Sequence, residues 1–307
     1  MATNKNQMIS DIFHERSQFI VIGLTGRTGS GCTTTASILE KEKPSFPNLS
    51  DITHNGSPFF NGLDAKKYEL LSNYATENYS QFFSIKISDL ISVFILAMNI
   101  DKIIKFVSSQ TSSSNKNKIE KIFKKGVFSK TYANANKEMY KKTYDKLLNR
   151  DSKKKFFGNE IEKNEFDSFI KLIKKFTNKF KKELISIDNE LYIKVYQNAG
   201  NSIRKIGEVD VGYKGQKFNP ESVFHLPETI NRMIKCIRNI RPEKAFIIID
   251  AIRNPYEARF FKERYSAFYL VSINKPYENR KNIYKMFTNS PMMNLRNWKK
   301  MNQVKQI

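Results

Sequence analysis

The chain has 307 residues, 40% of them hydrophobic and 13% aromatic, which is enough to bury a sizeable core and excludes disorder throughout. Its 53 Lys and Arg outnumber 30 Asp and Glu, so the formal net charge is +23, which favours nucleic acid, phosphate ligands or anionic membrane as partners. Because many lysines occur in scattered pairs, solvated helix faces are favoured over a dedicated nucleic-acid groove, which stays an alternative.

The first clear element is a buried strand at 18–24, QFIVIGL, because the run is short, apolar and β-branched. A loop rich in Gly, Ser and Thr follows at 25–34, and TTTASILEKEK at 33–43 predicts a helix that ends before Pro44. A strand, a glycine-rich loop and a helix in this order typically open an α/β nucleotide-binding unit.

The following segments predict a loop over 44–63, a helix over 64–79 and a second strand over 81–87. Asp89 then stands at the carboxyl end of that strand and opens a helix over 89–100. Further helices are predicted over 164–187, 188–201 and 223–240, the first with an apolar stripe of Phe166, Phe169, Ile170, Ile173, Phe176, Phe180 and Leu184.

The segment between these two groups is polar, low in complexity at its start and rich in Lys, Asn and Tyr. We interpret it as an insertion of exposed helices over a flexible loop, which would suit a lid. The predicted division of the chain is a first part of an α/β core at 1–104, a Lys-rich insertion or lid at 105–163, a second part of the core at 164–280, and a tail or the start of a missing domain at 281–307.

AFIIID at 245–250 predicts another buried strand, which ends in the acidic residue Asp250. A helix over 255–264 and a strand over 267–273 follow it. Strands that alternate with helices predict an α/β fold with a parallel sheet flanked by helices, and a ligand at the carboxyl ends of the strands.

The loop GRTGSGCT resembles the phosphate-binding template G-x-x-x-x-G-K-[ST], with Thr33 at the Mg²⁺-ligating position and Cys32 in place of the lysine. Backbone N–H groups at a helix N-terminus still favour phosphate without that lysine, but the cation that reaches the β- and γ-phosphates is lost. A P-loop NTPase fold is therefore predicted. We name residues 26–34 the glycine loop; its predicted nucleotide-binding residues are Gly26, Arg27, Thr28, Gly29, Ser30, Gly31, Cys32, Thr33 and Thr34.

Each candidate in this loop also has a plainer interpretation. A tight strand-to-helix turn without a ligand is less favoured, because the loop holds more glycines and hydroxyls than a turn needs. For Cys32, a small filler at a helix start is preferred over a reactive thiol. Arg27 is a catalytic candidate that would replace the missing positive charge, and an ordinary exposed loop arginine is an equal alternative.

Acidic and basic residues near the predicted strand ends complete the candidate site. Asp250, a second catalytic candidate, would hold Mg²⁺ with Thr33 or through water, and it would also serve as a helix cap. Asp89 would hold the base or sugar of a substrate, although an N-cap role is favoured for it taken alone. Guanidinium groups suit phosphate, so we expect at least one arginine to bind the phosphates. For each arginine taken alone, an ordinary salt bridge is the favoured interpretation. The candidates are Arg204, Arg253 and Arg259.

Several stretches resemble the N-terminal P-loop domain of the bacterial antiphage deoxycytidylate deaminases, whose loop also carries cysteine in place of lysine. Besides the glycine loop, these stretches are 66–91, 196–208 and 245–274. A more general similarity extends to dephospho-coenzyme A kinase and nucleoside monophosphate kinases, which keep the lysine. The resemblance implies a role in depleting the nucleotides that an infecting phage needs.

The zinc-dependent deaminase domain of that family is not found in this sequence. It needs an HxE motif and a PCxxC motif, and the chain has two cysteines and three histidines in neither pattern. We therefore expect no zinc site and no deamination by this chain alone. It would be the N-terminal part of a longer or broken gene product, or another chain would supply the deaminase domain.

The favoured hypothesis is a regulatory module that binds a (deoxy)nucleotide, ATP or a dNTP, with Mg²⁺. The alternative is a phosphotransferase of the (deoxy)nucleoside monophosphate kinase or dephospho-coenzyme A kinase type. A deaminase domain or chain, a regulatory RNA and an oligomeric state are further expectations. With few cysteines, no signal peptide pattern and no long apolar run, a cytoplasmic protein without membrane contact is predicted.

Overall fold

Four parallel strands form the central sheet of the computed structural model, which describes residues 18–125, 132, 163–277 and 280. Its order is β4-β5-β1-β6. These strands are β1 (Phe19–Thr25), β4 (Phe83–Lys86), β5 (Ala245–Asp250) and β6 (Phe268–Ser272), and a small antiparallel pair consists of β2 (Thr53–His54) and β3 (Ser57–Pro58). The predicted α/β architecture with a parallel sheet is confirmed.

The two central strands are apolar on both faces, as expected when helices cover both sides of a parallel sheet. Val21 is paired with Ile247 in the β1–β5 register, and both are fully buried in the larger hydrophobic cluster. Ile248 faces the opposite side and packs in a smaller cluster with Cys32 and Ala36 of the first helix. The alternation of side chains along β5 thus assigns one face of the sheet to that helix.

Helices flank the sheet, and most of their bounds lie within a few residues of the predictions. The predicted helix over 89–100 is an exception, because α3 ends at Leu96 and a separate helix begins at Ile100, capped by the Asn99 side chain. The α-helices are α1 (Cys32–Leu39), α2 (Gly62–Asn78), α3 (Ile87–Leu96), α4 (Ile100–Ser108), α5 (Lys116–Glu120), α6 (Lys163–Ile187), α7 (Leu191–Ile206), α8 (His225–Ile240) and α9 (Pro255–Arg264). Short 3₁₀ segments lie at Leu49–Asp51, Ser113–Asn115, Tyr213–Gly215 and Pro220–Phe224, and Lys121–Lys125 forms a π-helical turn.

The long helix α6 contributes the apolar stripe that the periodicity predicts, and it packs against α3 and α7. Six of the seven predicted stripe residues are buried, and Ile170 is partly buried. This packing places α6 along the edge strand β4, beside the carboxyl end of the sheet where Lys86 and Asp89 lie.

The start of the Lys-rich segment differs from the predicted insertion of exposed helices. The proposed boundary after residue 104 lies inside helix α4, and both Ile119 and Phe123 are fully buried in the main core. The Phe123 ring packs edge-on against Phe180, with 5.8 Å between ring centroids. The burial of these two side chains in the core anchors the stretch despite its many lysines. The predicted lid at 126–131 and 133–162 and the predicted tail at 281–307 lie outside the described residues.

Within the described ranges, every helix is too short or too polar to cross a lipid bilayer.

Candidate functional site

The glycine loop follows β1 directly. At its first residue, Gly26, neighbouring atoms leave no room for a side chain. A Cβ atom on Gly26 would lie 2.5 Å from the Ile273 carbonyl oxygen and would also collide with the Ser30 hydroxyl. Gly29 and Gly31 have φ values of +79° and +109°, which residues other than glycine rarely adopt. The glycines are therefore needed for the shape of this loop.

Helix α1 begins at the end of the loop with Gly31 as its N-cap, and no side chain caps it. The Ser30 N–H is bound to the Arg27 carbonyl at 3.0 Å, so the loop closes on itself just before the helix. The N–H groups of the first helical turn have no intrahelical acceptors. Together with the helix dipole, they form the kind of site that binds phosphate.

Cys32 occupies the position of the missing lysine, but its thiol lies in the core. The residue is 7% exposed and packs with Leu24, Ala36 and Ile248. Its Sγ atom lies 3.5 Å from the Ser30 hydroxyl oxygen. This buried position agrees with the small-filler interpretation.

Thr33 and Asp250 are brought together by the pairing of β1 with β5. Asp250 is opposite Leu24 in the register and is 8% exposed. Burial raises the pKa of the Asp250 carboxyl, while the nearby Thr33 hydroxyl and the charges of Lys86, Arg253 and Lys181 oppose the rise. The helix-cap alternative for Asp250 is not adopted, because the Asn254 side chain caps α9. A hydroxyl beside a carboxylate is a donor set that suits Mg²⁺, which takes few protein oxygens and completes its shell with phosphate and water.

Asp89 lies in the first turn of α3, next to the carboxyl end of β4, and the N-cap of that helix is Lys86. Burial raises the pKa of the Asp89 carboxyl, while the neighbouring Thr177 hydroxyl and the charges of Lys181, Lys86 and Lys174 oppose the rise. Asp89 also lines a small cavity with Lys86, Lys174 and several apolar side chains of α3 and α6.

A chain of buried hydroxyls supports the Asp89 side of the site. Thr177 donates to Ser92 at 2.8 Å, and the Ser92 hydroxyl lies 2.7 Å from that of Tyr196. The Lys181 ammonium lies 4.8 Å from the centre of the Tyr192 ring and 3.5 Å from the Ser88 hydroxyl oxygen. These contacts link α3, α6 and α7 next to Asp89.

Only one of the three candidate clamp arginines contacts the glycine loop. The Nη1 atom of Arg253 donates to the Thr28 hydroxyl at 3.4 Å. Arg204 instead forms a buried ion pair with Glu257 at 2.7 Å, and Arg259 forms an exposed ion pair with Glu263 on the same helix. Arg204 and Arg259 therefore form ordinary salt bridges, as the alternative interpretation of the sequence predicted.

Two lysines at the site had no role in the sequence interpretation. Lys86 and Lys181 each act on both Asp250 and Asp89. Neither belongs to a motif, and the chain's excess of lysine hides them. The available signal was that Lys86 is the one charged residue in the predicted strand 81–87.

Comparisons with protein-family models, with curated proteins and with solved structures gave no match to this chain. The resemblance to antiphage deaminases stays a prediction from the sequence. Among the described residues, no group of three or more His, Cys, Asp and Glu side chains could hold a metal ion.

Proposed function

We propose that the chain binds a (deoxy)nucleoside triphosphate with Mg²⁺ at the glycine loop. The observation that carries this proposal is the position of Thr33 beside Asp250, where an open helix N-terminus meets a carboxylate from the adjacent strand. Backbone N–H groups of the loop and of the first turn of α1 would hold the phosphates. Thr33 and Asp250 would hold Mg²⁺, which bridges phosphate oxygens and neutralises their charge.

Binding without efficient phosphoryl transfer is the activity that this geometry supports best. The loop lysine that stabilises the transferring phosphoryl group is replaced by the buried Cys32. We therefore propose a regulatory nucleotide-binding domain of an antiphage deoxycytidylate deaminase-type defence protein, acting in the cytoplasm. The deaminase partner, the regulatory RNA and the oligomeric state belong to this proposal as predictions.

Calorimetric titration of the purified chain with Mg·ATP and Mg·dCTP tests the nucleotide site. We expect binding that Thr33→Ala and Gly31→Ala each weaken, since Ala at φ +109° strains the loop. Gly215→Ala is the matched control, because the space around its added Cβ is open. Equal affinity in all four proteins contradicts the proposed site.

A phosphotransferase is the second candidate, favoured by Asp89 and Lys86 lying beside Asp250 at the same sheet edge. The γ-phosphoryl group would leave the ADP oxygen and bond to an acceptor oxygen positioned by Asp89. Incubation with Mg·ATP and each dNMP, with product masses measured, tests it. ADP together with a dNDP supports transfer. Separate incubations with dCTP and dCMP are expected to yield no dUTP or dUMP.

A further inference from the structure

Lys86 is the last residue of β4 and is opposite Asp250 in the β4–β5 register. Adjacent strands lie about 4.8 Å apart, and paired residues of parallel strands direct their side chains to the same face of the sheet. That face carries α1, because Ile248, two residues before Asp250, packs against Cys32 and Ala36. Lys86 therefore lies on the same face as the helix that follows the glycine loop.

The Lys86 ammonium is not used elsewhere in the described parts of the chain. Lys174, its neighbour across the cavity, is held by Glu40 at 2.8 Å, whereas no ion pair within the described ranges involves Lys86. Lys86 is partly buried, which strengthens its charge interactions relative to those of a fully exposed lysine.

Lys86 lies next to both acidic residues of the site. It is paired with Asp250 in the strand register, and it lines the cavity together with Asp89. It therefore lies between the predicted Mg²⁺ position and the cavity. Arg27, the sequence-based candidate for the same task, is exposed on the loop.

We propose that Lys86 supplies, from the neighbouring strand, the positive charge that the glycine loop lacks at Cys32, and that it contacts the terminal phosphate of the bound nucleotide. This inference rests on the proposed nucleotide site. A strand-borne cation explains how the loop tolerates a buried thiol at the lysine position. It also makes the Lys86 contribution depend on the number of phosphates, since a P-loop cation reaches the β- and γ-phosphates and not the α-phosphate.

Calorimetric titrations of the full chain with ATP, ADP and AMP in Mg²⁺ buffer test this assignment. We expect Lys86→Ala to weaken ATP binding by about 10-fold to 100-fold, the range for hydrogen bonds to charged groups, and to change AMP binding little. Lys86→Arg should keep most of the affinity, because it keeps the positive charge at this position. Lys102→Ala, at an exposed position on α4, is the matched control for loss of one charge.

The outcomes separate this inference from the proposed function. If Lys86→Ala behaves like Lys102→Ala while Thr33→Ala weakens ATP binding, the nucleotide site stands and the role of Lys86 is overturned. Equal loss of ATP and AMP affinity in Lys86→Ala also overturns it. If the native chain binds neither ATP nor dCTP, both proposals are overturned. Melting temperatures of all variants, measured without nucleotide, identify any variant that has lost its fold.

Discussion

The Arg253 guanidinium donates to the Thr28 hydroxyl at 3.4 Å, which places a cation over the glycine loop from the segment that follows β5. We predict that Arg253→Ala weakens Mg·ATP binding by roughly 10-fold, because a guanidinium hydrogen bond to phosphate is charge-assisted. Calorimetric titration measures this change.

Arg259→Ala is the matched control for Arg253→Ala. Arg259 was an equal candidate in the sequence, but it forms an exposed i, i+4 ion pair with Glu263. We expect its removal to leave the Mg·ATP affinity unchanged. Equal losses in the two variants would mean that net charge, and not the position of Arg253, determines binding.

Asp250 should make nucleotide binding depend on Mg²⁺ and on pH. Because burial raises the pKa of this carboxyl, protons compete with Mg²⁺ at a higher pH than at an exposed aspartate. We predict that Mg²⁺ affinity in the presence of ATP falls as the pH drops from 7 towards the raised pKa. Asp250→Asn should abolish both the Mg²⁺ dependence and its pH dependence, whereas the exposed Asp64→Asn should keep both.

The same raised pKa predicts the effect of Asp250 on stability without ligand. A carboxyl whose pKa is higher in the folded state contributes stability below its ordinary pKa, and this contribution is lost as the pH rises through the folded value. Asp250→Asn should therefore raise the melting temperature at pH 7 in the absence of Mg²⁺ and nucleotide. The difference in melting temperature between the variant and the native chain should vanish in acid. A higher melting temperature for the native chain at pH 7 would contradict this prediction.

Phe123 should be as important for folding as the predicted core residues. Its ring is fully buried against Phe180, so we predict that Phe123→Ala lowers the free energy of unfolding by about 3–5 kcal/mol. Phe59→Ala is the control, because Phe59 is 58% exposed, and it should cost far less. Urea denaturation measures the free energy of unfolding of both variants. Similar small losses of stability in the two variants would show that residues near 123 do not belong to the core.

The sequence predicts those features that depend on local pattern. The strands around Val21 and Ile247 are continuous apolar runs and could therefore be predicted. The glycine loop and Asp250 follow from them, because each lies at the carboxyl end of one of these neighbouring parallel strands. The segment that contains Ile119 and Phe123 was predicted to form exposed helices because lysines dominate it, whereas both side chains are fully buried. The position of Lys86 opposite Asp250 could not be predicted, because strand order and register depend on contacts between residues far apart in the chain.

Arg204 should matter for stability and not for nucleotide binding. Its guanidinium is paired with Glu257 at 2.7 Å, and the two side chains are only 19% and 2% exposed. Removing one partner of a buried pair leaves the other charge uncompensated, so Arg204→Ala should lower the free energy of unfolding by about 3–5 kcal/mol. Adding Glu257→Leu should recover much of that loss, because no charge then remains buried without its partner. Urea denaturation measures both variants, and Mg·ATP titration below the melting temperature should give native affinity. A large loss of affinity in a folded Arg204→Ala protein would instead assign this arginine to the phosphate site.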